Sequence, residues 1–360
     1  MPLIHIFTIF CTILLCRDLV GVDLSLYVDD WSLALDFQNR DNKDIITYLR
    51  NTKGDTLVET SRVKVMLVGP GEAGKTTLVH KLITNKFKVN QFEMTDGVDM
   101  HTWEHENIEF QLWDFGGQEI YMNTHAMFFE ARCIYMITWS ARASYANDIL
   151  KLLDQYFQNV QNRAPNAPIL LVSTHAKDVP PLSPETIQRL REKYPTILDY
   201  VHVDSQSTSA AGNIPHLKSV LVEATRDLPF VRQQQPKKFV TVEEYIKTIR
   251  RPDRFTLDAG AFTTIAGTFG LPDKQSALLL SLLHQWGAVH VLSKGDIVLQ
   301  PQQLADVMRR VVTGKTTAEG EVMATSNGVL RHADIGIIWN AYKECLRPQF
   351  LDLLHKCELA

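Results

Sequence analysis

Residues 69–76 read Gly-Pro-Gly-Glu-Ala-Gly-Lys-Thr, the pattern G-x-x-x-x-G-K-[ST]. The chemistry that suits these types at this spacing is phosphate binding. Glycines let the backbone wrap a phosphate closely with its N–H groups aimed inward, and a helix beginning near Gly74 adds its positive end. Gly69, Gly71, Glu72, Ala73 and Gly74 supply the cradle, which runs on to Thr77. Lys75 brings a point charge to the β- and γ-phosphates, and Thr76 a hydroxyl to Mg2+. Pro70 lacks an N–H and adds nothing to the cradle. Glu72 fits if its side chain faces solvent while its amide faces in.

Two segments downstream supply what a bound triphosphate needs. In Trp113–Glu119 (WDFGGQE), Asp114 ends a strand and can hold Mg2+ through water, Gly117 can offer its amide to the γ-phosphate, and Gln118 can orient an attacking water. Thr95, between this segment and the phosphate loop, can cap Mg2+ when a γ-phosphate is present. The metal set is therefore Thr76, Thr95 and Asp114, and the catalytic candidates are Gln118 and Lys75.

A guanine base needs a carboxylate that accepts from its N1 and exocyclic amino groups. Asp178 is the candidate, in Thr174-His175-Ala176-Lys177-Asp178 after the apolar run Pro168–Ser173. Ser209 and Ala210 follow a strand expected at Tyr200–Val203 and can place a backbone amide on the base carbonyl. GTP or GDP with Mg2+ is the ligand this set implies. An ATPase of the wider phosphate-loop class is the alternative.

The elements that must position these residues are legible as apolar runs. Val63–Val68, Ile108–Trp113, Cys133–Trp139 and Pro168–Ser173 read as strands, the continuous runs as buried parallel ones. Tyr145–Val160, Pro184–Tyr194 (with Ser183 as N-cap) and His216–Leu228 read as helices, and Asp41–Arg50 as a short one. Strands separated by such helices predict βαβ units and an open parallel sheet. Val231–Lys238 is polar and without an apolar period, which reads as a linker.

Beyond it the pattern turns helical. Thr241–Arg250 opens on a Thr-x-x-Glu capping box closed by Glu244, then Asp258–Phe269 and Asp273–Trp286 follow. Two short strands, Ala288–Leu292 and Asp296–Leu299, complete a winged-helix pattern. The next helix, Gln302–Val312, has only Arg309 and Arg310 as basic residues, so a protein-contact role is expected rather than DNA binding.

The 360 residues carry a net charge of −4, which argues against a nucleic-acid or membrane-surface footprint. The five cysteines lie far apart without a C-x-x-C pair, which fits a reducing, cytoplasmic compartment better than a disulfide framework. The apolar run Pro2–Cys16 is short against the roughly 20 residues of a membrane span and lacks a basic lead and a cleavage pattern. A buried element or a piece of an upstream domain is expected there. A membrane or signal segment is the alternative.

Trp113–Glu119, Thr124-His125 and Cys133–Arg142 (CIYMITWSAR) together resemble the Roc domain of the Roco family, which contains the leucine-rich-repeat kinases. Roc domains carry Thr-His-x-Asp for the base. Thr174 and His175 match it, while Asp178 stands one position later. Leu282–Gly287, Ile297–Pro301, Leu304–Met308 and Gly328–Arg331 with Trp339 look like the first half of a COR domain, with Gln303 where tryptophan is expected.

The resemblance implies a P-loop NTPase (Ras-like) open sheet with helices on both faces, followed by a mainly helical, winged-helix-like COR segment. The implied layout is an extension over 1–61, Roc over 62–230, a linker over 231–239 and the N-terminal part of COR over 240–360. It also implies a GTPase acting as a signalling switch, with a dimer partner or effector through COR. No arginine is placed as an in-cis finger, so turnover is expected to be slow. A nucleotide-holding scaffold without turnover, or a fragment of a larger Roco protein whose kinase lies elsewhere, are the alternatives.

Overall fold

The computed structural model describes residues 55–87, 95, 97–118, 125–142, 149–207, 212–228, 230–251, 254–292, 295–313, 325–326 and 329–356. The helix expected at Asp41–Arg50, the apolar run Pro2–Cys16, and Ser209 and Ala210 lie outside them. The chain forms two compact units. One takes the described residues up to Arg62 together with Thr225–Val291 and Gly295–Leu299. The other takes Val63–Ala224, Leu292–Lys294 and Gln300–Ala360.

The larger unit is built on a sheet of order β2-β3-β1-β4-β5-β6. Its strands are β1 (Leu57–Val68), β2 (Val98–His105), β3 (Ile108–Phe115), β4 (Ile134–Ser140), β5 (Ile169–Thr174) and β6 (Ile197–His202). Helices α1 (Lys75–Thr84), α2 (Ile149–Arg163), α3 (Pro184–Lys193) and α4 (Ile214–Arg226) alternate with them. β1, β4, β5 and β6 pair in parallel, and Val65, Met66, Leu67, Ile134–Ile137 and Ile169–Val172 are fully buried. Continuous apolar runs belong in such doubly covered strands.

The sheet is not wholly parallel as expected. β2 pairs antiparallel with β3 across a two-residue turn at Glu106-Asn107, both at positive φ. Left-handed residues at both corners match the twist of a hairpin.

In the smaller unit, the start of β1 pairs antiparallel with β7 (Arg232–Pro236), from Leu57↔Pro236 to Ser61↔Arg232. The polar stretch read as a linker is thus largely a strand. Backbone pairing holds it, and the buried Gln235 Nε2 donates to Gln233 Oε1 at 2.9 Å.

Helix α5 (Lys237–Thr248) starts four residues before the expected capping box, with Pro236 as N-cap. Thr241 lies inside it and donates back to Lys237 O at 3.0 Å, so it caps nothing. α6 (Ala259–Thr268) is capped by Asp258, and α7 is Asp273–Gln285. β8 (Thr256–Leu257), β9 (His290–Val291) and β10 (Ile297–Val298) form a three-stranded antiparallel sheet. Phe239, Val242 and Ile246 of α5 pack with Leu279, Leu282 and Leu283 of α7 in its core.

Helix α8 (Pro301–Thr313), the small pair β11 (Thr325–Ser326) and β12 (Val329–Leu330), α9 (Ile335–Ile338) and α10 (Arg347–Lys356) belong to the larger unit. Among the described residues no helix is long and apolar enough to cross a membrane.

Candidate nucleotide-binding site

The phosphate loop joins β1 to α1. Gly69 must be glycine, because a Cβ there would stand 1.9 Å from the Thr138 carbonyl of β4. Gly74 is left-handed at φ 82° and caps α1. Glu72 is left-handed at φ 59° and exposed, so its side chain does face solvent. Ala73 is buried, and Thr76 and Thr77 sit half-buried in the first turn of α1. The buried Lys75 ammonium donates to the carbonyls of Gly69 and Pro70, both at 2.8 Å, which holds it across the loop.

The three residues assigned to the metal converge. Thr76 Oγ1 donates to Asp114 Oδ2 at 2.6 Å, and Thr95 Oγ1 lies 2.8 Å from Thr76 Oγ1 and 3.4 Å from Asp114 Oδ2. Asp114 is fully buried at the end of β3, and its Oδ1 has no hydrogen-bond partner among the described residues. A carboxylate oxygen left over beside two hydroxyls is an oxygen-donor set that fits Mg2+.

Burial raises the Asp114 carboxyl to about 6, against the Thr76 hydrogen bond and Lys75, which lower it. Burial likewise lowers Lys75 to about 8, against the attraction of Asp114. Desolvation therefore outweighs the mutual attraction of the two side chains. A bound phosphate would favour the charged ammonium of Lys75, and a metal cation the ionised carboxylate of Asp114.

Gly116 and Gly117 carry the chain against the loops on either side. A Cβ on Gly117 would lie 2.2 Å from Gly71 N, and one on Gly116 2.4 Å from Thr95 O. Gln118 is half-buried and borders a small cavity with Phe115, His125, Phe129, Tyr156 and Asn159. The buried His125 was not among the predicted site residues. Its Nε2–H donates to Gly97 O at 3.1 Å, and its ring packs edge-on to Phe115. Burial lowers its pKa to about 4, with Lys75 adding to the effect and the Gly97 bond opposing it. A lone histidine after D-x-x-G carried no signal of its own beyond the family pattern.

On the base side, Thr174 ends β5 with its hydroxyl 2.8 Å from Ala73 O, tying this segment to the phosphate loop. His175 is left-handed at φ 63°, and its Nδ1 lies 2.9 Å from Thr174 Oγ1 and 3.0 Å from Ser140 Oγ. Its pKa is lowered, first by burial and then by Arg142. Asp178 N–H donates to His175 O, closing a turn, while its carboxylate is 53% exposed and 4.0 Å from Arg142 Nε. Asp178 is thus open to solvent and not drawn into the cluster around Thr174. Nearby, Lys81 Nζ of α1 donates to Ser207 O at 2.9 Å, on the loop that leads to Ser209 and Ala210.

The family model for Ras of Complex, Roc, domain of DAPkinase matches residues 64–177, and that for C-terminal of Roc, COR-A domain matches residues 236–360. A similar relative is probable serine/threonine-protein kinase pats1 of Dictyostelium discoideum, 24% identical over 355 residues, or 88% of this chain and 11% of that protein. Cyclic GMP-binding protein C of the same organism is 21% identical over 357 residues, covering 88% of this chain and 13% of its own length. The chain therefore spans only a small part of these relatives. The solved structure of Methanosarcina barkeri Roco2 RocCORdC bound to GDP aligns with a TM-score of 0.68 at 21% identity, over 85% of this chain and 93% of that one, which shows a shared fold. The chain belongs to the Roco family, with a Roc domain of the Ras-like GTPase class followed by a COR-A segment.

Proposed function

We propose that the chain binds GTP and GDP with Mg2+, hydrolyses GTP slowly, and serves as a signalling switch. The observation that carries this reading is the convergence of Thr76, Thr95 and Asp114 beside Lys75, with the Asp114 Oδ1 left over. The GDP in the Methanosarcina Roco2 structure lends it support by likeness of fold.

Lys75 would leave its two loop carbonyls for the β- and γ-phosphates, and the amides of the loop would line the phosphates. Thr76, Thr95 and Asp114 would hold Mg2+, which would supply positive charge against the phosphates. Gly117 would offer its N–H to the γ-phosphate and Gln118 would orient the water. Asp178 would accept from guanine, with Thr174 and His175 fixing its loop and Ser209 and Ala210 meeting the base carbonyl. The proposed layout remains Roc over 62–230 and COR from 240.

Labelled GDP tests the ligand. GTP is expected to compete far better than ATP, and equal competition by ATP would remove the guanine assignment. Steady-state phosphate release tests the reaction: a slow rate that Gln118→Leu lowers further is expected. Equal, negligible rates in both proteins would leave a nucleotide-holding scaffold instead.

A further inference from the structure

Among the described residues strand β2 is the edge of its sheet, with no strand paired to its outer backbone groups. Gln302, in the first turn of α8, fills that position. Its Oε1 accepts from Met100 N–H at 2.8 Å and its Nε2 donates to Val98 O at 2.7 Å, with Asp306 Oδ1 at 3.2 Å behind it. The side-chain amide bonds the edge much as one residue of an added strand would.

The same helix also meets the residue just before β2. Gly97 is left-handed at φ 78°, and a Cβ there would lie 3.1 Å from Arg309 Cβ and 3.7 Å from Ala305 O. The Gly97 carbonyl accepts from Gly116 N–H at 2.7 Å and from His125 Nε2–H at 3.1 Å. Gly97 is therefore a junction of three parts: the Thr95 segment, the Gly116–His125 segment and α8. Thr95 is only two residues away, with its hydroxyl on Thr76.

We infer that Gln302 is a positioning residue for Thr95, so that the COR-A helix α8 sets how much more tightly the site holds a triphosphate than a diphosphate. This rests on the guanine-nucleotide reading above. Segments of this kind are ordered by contacts that only the γ-phosphate and its metal provide. Loosening the strand that follows Thr95 therefore costs the triphosphate state more than the diphosphate state. By linkage, bound triphosphate in turn steadies β2 against α8.

The test is release of a fluorescent GDP and of a fluorescent non-hydrolysable GTP analogue from the full chain with Mg2+, comparing wild type with Gln302→Ala. The variant is expected to release the triphosphate analogue roughly threefold to tenfold faster, the scale two ordinary hydrogen bonds allow, and GDP within about twofold of wild type. A merely structural role would move both rates alike, and that result, or no change in either, overturns the inference. If Gln302→Ala does not fold, Gln302→Glu is read by the same criterion, since it keeps the acceptor for Met100 N–H and loses the donor to Val98 O. Wild type that binds neither nucleotide removes the nucleotide reading and this inference together, whereas normal binding with an unmoved ratio removes this one alone.

Discussion

His125 is neutral in the fold because burial lowers its pKa to about 4, while an unfolded histidine titrates near 6.5. Between those values this histidine binds its proton only in the unfolded chain, so its contribution to stability falls as pH drops from about 6.5 to about 4. The loss is on the order of 3 kcal/mol at most. Asp114, raised to about 6, runs the opposite way over the lower part of that range, so the effect is read as a difference: in urea unfolding of the nucleotide-free chain, wild type is expected to lose stability relative to His125→Gln as pH drops. Thr174→Val keeps the shape of the side chain but takes the hydroxyl from Ala73 O. It should cost about 1–3 kcal/mol by removing a buried hydroxyl that also contacts Trp139 O and His175 Nδ1, read from the urea midpoint. That Thr76, Thr95 and Asp114 gather beside Lys75 was legible as an expectation, because each stands in a motif whose order and spacing point to one site. Gln302 was not legible. A glutamine in a first helical turn is ordinary, and its partners are backbone atoms about 200 positions away.

At the scale of elements, buried strands announced themselves as apolar runs, and Ser183 as a cap that accepts from Thr186 N–H. The β2–β3 hairpin and β7 did not. Asn107 suits a turn but Glu106 does not advertise one, yet both residues are left-handed, at φ 60° and 49°. Replacing them with Asn-Gly, which accepts those angles, is expected to stabilise the chain by about 1 kcal/mol or less, measured by chemical denaturation. Glu106 is 59% exposed, so nothing packed is lost with it. β7 was hidden because its polar side chains lack a period, while its partner, the start of β1, lies some 175 positions earlier. The capping box at Thr241 misled for a related reason. The β7 pairing delivers the chain to Pro236 already positioned to begin α5, and the helix starts there.

For the whole molecule, GDP that binds the folded chain and not the unfolded one must raise its melting temperature. At about 100-fold over Kd the gain is about 2.7 kcal/mol, a shift of several degrees. Lys75→Ala is expected to abolish that shift in a thermal melt with GDP and Mg2+. The compact units also divide the chain differently from its sequence. Composition put one break near residues 231–239, whereas the unit that holds the candidate nucleotide site also takes in Gln300–Ala360. The sequence by itself determined the phosphate chemistry and the central strands, because motif spacing and buried apolar runs are local properties. Tertiary structure decided the convergence of Thr76, Thr95 and Asp114, the open position of Asp178 and the grip of Gln302 on β2. Each of those depends on which distant backbone a side chain meets, and no local pattern records that.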